Sequence, residues 1–181
     1  MKTSVIYGLG MGASGAVLAI VMYLLGLHSD PAKLPIAQAV GLVGGLGIAV
    51  TFVTFGIKAR RAQVPPGEEF GYGKAVGAGV MIALFSSLLG IATTYTYATV
   101  INPEFADVIV QAQLNQMEGQ HAPAKQIEIT EKVTRFMMKP VVQVAMSFVG
   151  GMVMGTAISL IAAAFLKRPA LPPDLAPPVV T

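Results

Sequence analysis

Two histidines, His28 and His121, are the side chains best suited to hold a metal or a pigment, because a neutral imidazole nitrogen can ligate either. His28 stands two residues before Asp30. One imidazole and one carboxylate are too few for a defined metal site, so no metal site is expected. A solvated histidine at a membrane boundary is the reading these residues favour, with His28 kept as the single candidate cofactor contact. No cofactor is otherwise expected, while lipid or pigment contact stays compatible with the chain. Glu68 and Glu69 are neighbours in a loop and do not converge, which predicts solvated carboxylates and no acid–base pair.

Glycine patterns suggest nucleotide chemistry and then fail its requirements. Gly8-Leu-Gly10-Met-Gly12 has the look of a dinucleotide fingerprint, but that motif needs a preceding strand and a βαβ unit. Gly71-Tyr72-Gly73-Lys74-Ala75 resembles a phosphate loop, yet Ala75 stands where Ser or Thr must be and Gly67 is one position too far away. The ten methionines could bind a soft metal. With no clustered thioether pattern in a loop, they read as adaptable apolar filler. Cysteine is absent, which removes disulfides and thiolate ligation.

The remaining polar chemistry consists of hydroxyls and amides within apolar runs. Thr93-Thr94-Tyr95-Thr96-Tyr97 is the densest cluster. Such hydroxyls commonly bond back to their own helix or across to a neighbour, although a polar path is the alternative. Transporters and proton relays usually carry ionisable groups in their spans, and none is found here. The sequence therefore points away from an enzyme.

What must position these residues is a set of membrane helices. Of the 181 residues, 54% are hydrophobic and 12% charged, and mean hydropathy is +0.69. A soluble domain carries about a quarter charged residues. Crossing a bilayer takes about 20 apolar residues in a helix. Runs at about 4–27, 34–57, 75–101 and 141–166 qualify, each without Asp, Glu, Lys or Arg. The predicted fold is all-α, an integral membrane four-helix bundle spanning residues 1–167. The first run is too long for a typical signal h-region, and no small-x-small cleavage site stands out before His28, so it reads as a retained span.

Lys2, Lys58, Arg60, Arg61, Lys74, Lys167 and Arg168 fall on one side of such a bundle. The positive-inside rule then places both termini in the cytoplasm. Basic residues form no single stripe, and nucleic acid is not an expected partner. Residues 102–139 are the outer amphipathic segment, two helices separated by Gly119, His121 and Pro123. Phe105, Val108, Ile109 and Ala112 make one apolar face; Ile129, Val133, Phe136 and Met137 make the other. Glu128–Lys132 and Glu131–Arg135 are spaced for ion pairs, and Pro140 marks a kink before the fourth span.

Gly8 and Gly12, Gly41 and Gly45, and Gly151 and Gly155 form GxxxG pairs, which let helices approach closely in lipid. They are the expected packing residues, within the bundle first and towards other subunits second. Residues 168–181 form a Pro-rich tail with no core of its own. There Pro172, Pro173, Leu175, Pro177 and Pro178 are the expected contacts with a partner.

Three segments carry a family resemblance: Phe55-Gly56-Ile57-Lys58-Ala59-Arg60-Arg61, then Phe70-Gly71-Tyr72-Gly73-Lys74-Ala75, then Ile101-Asn102-Pro103-Glu104-Phe105. Their order resembles the bacterial membrane family labelled domain of unknown function 4199, over nearly the whole chain to about Leu166. The resemblance implies four spans in a bacterial inner membrane and supplies no activity, substrate or catalytic residue. The expectation is a non-enzymatic accessory or structural subunit of a larger membrane complex, respiratory or photosynthetic for example. Its partners would be the lipid bilayer and other membrane subunits. A small transporter or channel component using the hydroxyls of the third span is the alternative.

Overall fold

A backbone inside hydrocarbon must satisfy its own hydrogen bonds, and continuous helices do so. In the computed structural model, which describes residues 1–65 and 67–169, the apolar runs become α1 (Lys2–Leu24), α2 (Leu34–Ala62), α3 (Tyr72–Thr96) and α6 (Pro140–Leu166). Four helical segments are long and apolar enough to cross a membrane. Between the third and fourth lie the shorter α4 (Phe105–Gly119) and α5 (Ala124–Met137). The fold is all-α, with one isolated β-bridge, Phe70 to Arg168, among the described residues.

Helix boundaries depart from the hydropathy runs for local reasons. α1 stops at Leu24 and not Leu27, because Gly26 takes φ +70°. Leu27 N–H donates to Met22 O and Gly26 N–H to Tyr23 O, a C-terminal cap that glycine adopts without Cβ strain. α2 runs on to Ala62, past the charges Lys58, Arg60 and Arg61. Long basic side chains tolerate this because they reach back to the polar boundary. Asp30 opens the turn before α2 by accepting from Ala32 N–H at 2.9 Å.

α4 ends in the same cap as α1, with His121 as the left-handed residue at φ 53°. The expected kink at Pro140 is instead a full break. Lys139 is extended at ψ 133°, the conformation that a following proline imposes, and Pro140 opens α6 in the first turn where its missing N–H costs nothing.

α3 lies at the centre and packs against α1, α2 and α6. Gly8 and Gly12 seat α1 on α3: a Cβ on Gly8 would lie 2.6 Å from Phe85 Cβ and 2.7 Å from Ile82 O. Gly155 meets Ala83, and Gly151 meets Ser87, on the α3–α6 seam. Val53, Ile57, Phe70, Ala75, Ile82 and Leu166 form the main buried cluster near the end carrying the N-terminus of α1. Ile6, Leu42, Val43, Phe55, Val153 and Phe165 point outward, as apolar surface in lipid should.

Loop 63–71 closes this termini end. Phe70 exchanges backbone hydrogen bonds with Arg168 at 3.0 and 2.9 Å, and the Arg168 guanidinium donates to the carbonyls of Val64, Pro65 and Glu68. At the opposite, cap end, Phe105, Val108, Ile109 and Ala112 of α4 pack on Met22, Leu34 and Ala37. α5 holds to α4 through Thr134–Gln113 at 2.7 Å and Arg135–Asp107 at 2.9 Å. The pairs Glu128–Lys132 and Glu131–Arg135 both form. Ile129, Val133 and Phe136 of α5 stay exposed.

Because backbone and Cβ atoms meet Gly8, Gly8→Leu should lower stability by about 1–3 kcal/mol. Gly45→Ala, with no neighbour within 4 Å, should be nearly silent. Thermal unfolding in mild detergent measures both, and equal losses would contradict this packing.

Candidate functional site

Gly26 turns the chain after α1 so that His28 faces inward under α4. Opposite it, the last residues of the third span wind wider, as a π turn over Tyr97–Ile101 closed by Asn102 N–H donating to Tyr97 O at 2.8 Å. Single π turns are frequent at functional sites. The turn brings Tyr97 and Asn102, five residues apart, onto one side chain. Tyr97 Oη lies 2.5 Å from His28 Nδ1, and Asn102 Nδ2 lies 3.3 Å from both His28 O and Tyr97 Oη. Tyr97, Phe105 and Tyr23 surround the imidazole and phenol with edge-on and tilted rings.

The Asn102 amide N–H donates to the Tyr97 oxygen, and the phenol and His28 Nδ1 share one short hydrogen bond. Burial pushes the His28 pKa below its ordinary value. His28 is 9% exposed, which corrects the expectation of a solvated histidine: an aromatic and amide cage replaces its water.

Below this cluster, towards the middle of the bundle, a half-open cleft of about 710 Å³ lies between α1, α2, α3 and α6. Gly12, Gly15, Gly45, Gly90 and Gly151 form much of its wall, with Tyr97 and Ile101 near its cap end. Ser86, Ser87, Thr93, Thr94, Thr96 and Ser147 bring hydroxyls to it. Thr94 bonds across to Ser147 Oγ at 3.3 Å, and Thr93 bonds back to Gly90 O at 3.3 Å. Among the described residues no charged side chain lines the cleft. Its chemistry is that of apolar contact with neutral hydrogen bonding, suited to an uncharged occupant.

The expected residues distribute unevenly over this geometry. Gly8, Gly12, Gly151 and Gly155 touch α3 closely, whereas Gly41 has only Met22 Cε at 3.7 Å and Gly45 faces open space. Tyr95 is exposed and stands apart from the cleft lined by its neighbours in the hydroxyl cluster. His121 is a helix cap, and Glu68 and Glu69 are exposed. Among the described residues no group of three His, Cys, Asp or Glu gathers for a metal. Pro172, Pro173, Leu175, Pro177 and Pro178 lie outside the described residues. Sequence reasoning did not pair His28 with Tyr97 and Asn102. The one available signal was an asparagine followed by proline at the end of an apolar run.

Known proteins give one finding. The family model described as "Protein of unknown function (DUF4199)" matches residues 6–168. The chain belongs to this family. No curated protein and no solved structure matches it. The DUF4199 match takes in all four spans and the cap, so the His28 cluster and the cleft both lie within the family's extent.

The lowered His28 pKa sets a pH dependence. Unfolded chain takes up a proton below about pH 6.5, while the folded cage resists it, so stability falls as pH drops through that value. Amide-exchange protection factors around residues 97–105, corrected for the intrinsic pH dependence of exchange, should be lower at acidic than at neutral pH, and His28→Gln should remove most of the difference. His121→Gln serves as the control, because that side chain is exposed. Wild-type protection factors indifferent to pH would refute the cage.

Proposed function

We propose that this protein is a non-enzymatic accessory subunit of a larger bacterial inner-membrane assembly, and that its cleft receives an apolar helix of a partner subunit. The observation that carries this reading is the glycine wall that the bundle leaves unfilled: a Cβ added at Gly15 or Gly45 would meet nothing from another helix within 4 Å. In lipid, where association depends on van der Waals contact, small residues let a foreign backbone come close. Both termini in the cytoplasm suits the basic residues Lys58, Arg60, Arg61, Lys74 and Lys167 at the termini end. The exposed apolar residues of α5 suit a cap lying along the opposite bilayer boundary.

Purification in mild detergent followed by mass spectrometry tests the proposal. Wild-type protein should carry a stoichiometric membrane partner. Gly15→Leu and Gly45→Leu should reduce its recovery about tenfold, the effect of roughly 1.4 kcal/mol, while leaving the bundle folded. Recovery of a lone monomer under several detergents would reject the assignment.

A second reading has its own support in the hydroxyl lining. As a small transporter or channel component, the protein would pass a neutral solute along Thr94, Thr96 and Ser147. Flux in reconstituted vesicles should then drop several-fold on Thr94→Val or Thr96→Val. Absent flux, or flux that ignores both changes, removes this alternative.

A further inference from the structure

A separate pocket, outside the site above, opens at the termini end. It measures about 380 Å³ and is lined by Ser4 of α1, Arg60 of α2, Lys74, Gly77 and Met81 of α3, and Phe70 of the closing loop, among others. Two cations from different helices therefore share one concavity, and among the described residues no Asp or Glu lines it. Ser4, itself 6% exposed, belongs to the same lining.

The neighbouring charges are otherwise engaged or turned away. Arg60 gives one guanidinium N–H to Gln63 Oε1 at 2.9 Å, and Lys74 gives one ammonium N–H to Glu69 O at 3.0 Å, leaving further donors on each. Glu68 and Glu69 are exposed in the adjoining loop and stand outside the lining. The opening turns of α3 form part of the wall, and a helix N-terminus adds positive potential there.

We infer that this pocket binds the phosphate of an anionic phospholipid. The phosphate oxygens accept from Ser4, Arg60 and Lys74, while the glycerol and upper acyl chain lie along Gly77 and Met81. Free phosphate would satisfy the same donors. The apolar part of the wall favours the lipid, because Phe70, Ala78 and Met81 offer an inorganic anion nothing. Basic pockets between spans at the membrane boundary are suited to anionic headgroups.

Native mass spectrometry of the detergent-purified chain provides the test, with dioleoyl-phosphatidylglycerol, dioleoyl-phosphatidylcholine and inorganic phosphate as probes. Phosphatidylglycerol should be retained over phosphatidylcholine. Retention should fall about tenfold or more in the double variant Arg60→Gln/Lys74→Gln, from about 1 kcal/mol per basic residue. Ser4→Ala should weaken it further without changing net charge. The variant Lys58→Gln/Lys167→Gln, which removes equal charge from the same end, should retain the lipid. Loss in that control equal to loss in the pocket variant would mean diffuse attraction and overturn the site. Equal retention of phosphatidylcholine would also overturn it, and displacement by inorganic phosphate would overturn the lipid assignment.

Discussion

Close contact of α3 with α1 and α6 is the interaction on which the remaining architecture depends. Lipid is as apolar as leucine, so burying leucine between spans yields little, and surface match supplies the attraction. Gly8 lets α1 rest against Phe85 and the Ile82 carbonyl, and Gly155 lets α6 rest against Ala83. With those two approaches set, α3 becomes the helix around which the others are arranged. The larger side chains, Ile6, Val153 and Phe165 among them, are left to face hydrocarbon.

The same seams explain why the bundle is tight at one end and open in the middle. At the termini end, Phe70 is 2% exposed and is held by its backbone pairing with Arg168, whose guanidinium gathers three carbonyls of the closing loop. That network ties the end of α6 to the connection between α2 and α3. Further along, the facing residues are Gly12, Gly15, Gly45 and Ala49, too small to meet across the interval. A cleft with hydroxyls on α3 and α6 is the consequence, and the uncharged lining found among the described residues suits neutral or apolar occupants.

The cap end is organised by polar chemistry in a confined place. Asn102 and Tyr97 could not both reach His28 from a regular α-helix, since residues five apart point in different directions on a 3.6-residue turn. Widening the last turn solves this and satisfies three polar groups together. α4 then covers the cluster with Phe105, and α5 is tied to α4 by Arg135, whose pKa is raised by its bonds to Glu131 and Asp107. These exposed ion pairs orient α5 more than they stabilise it.

The sequence alone determined that the chain makes four long apolar helices with two amphipathic ones before the last. Run length, missing charges and 3.6-residue periodicity are local properties, readable without knowing any neighbour. The faces of α4 were legible for the same reason: Phe105, Val108, Ile109 and Ala112 recur at helical spacing and do pack on α1 and α2. Tertiary structure alone decided which glycines pack and which line a cleft. Spans that are apolar all round carry no stripe to say how they rotate, so Gly8 and Gly45 look alike as letters and differ only in what stands opposite. The burial of His28 belongs to the same class, because its partner is 69 residues away in sequence and meets it only through a turn that departs from the ordinary helix.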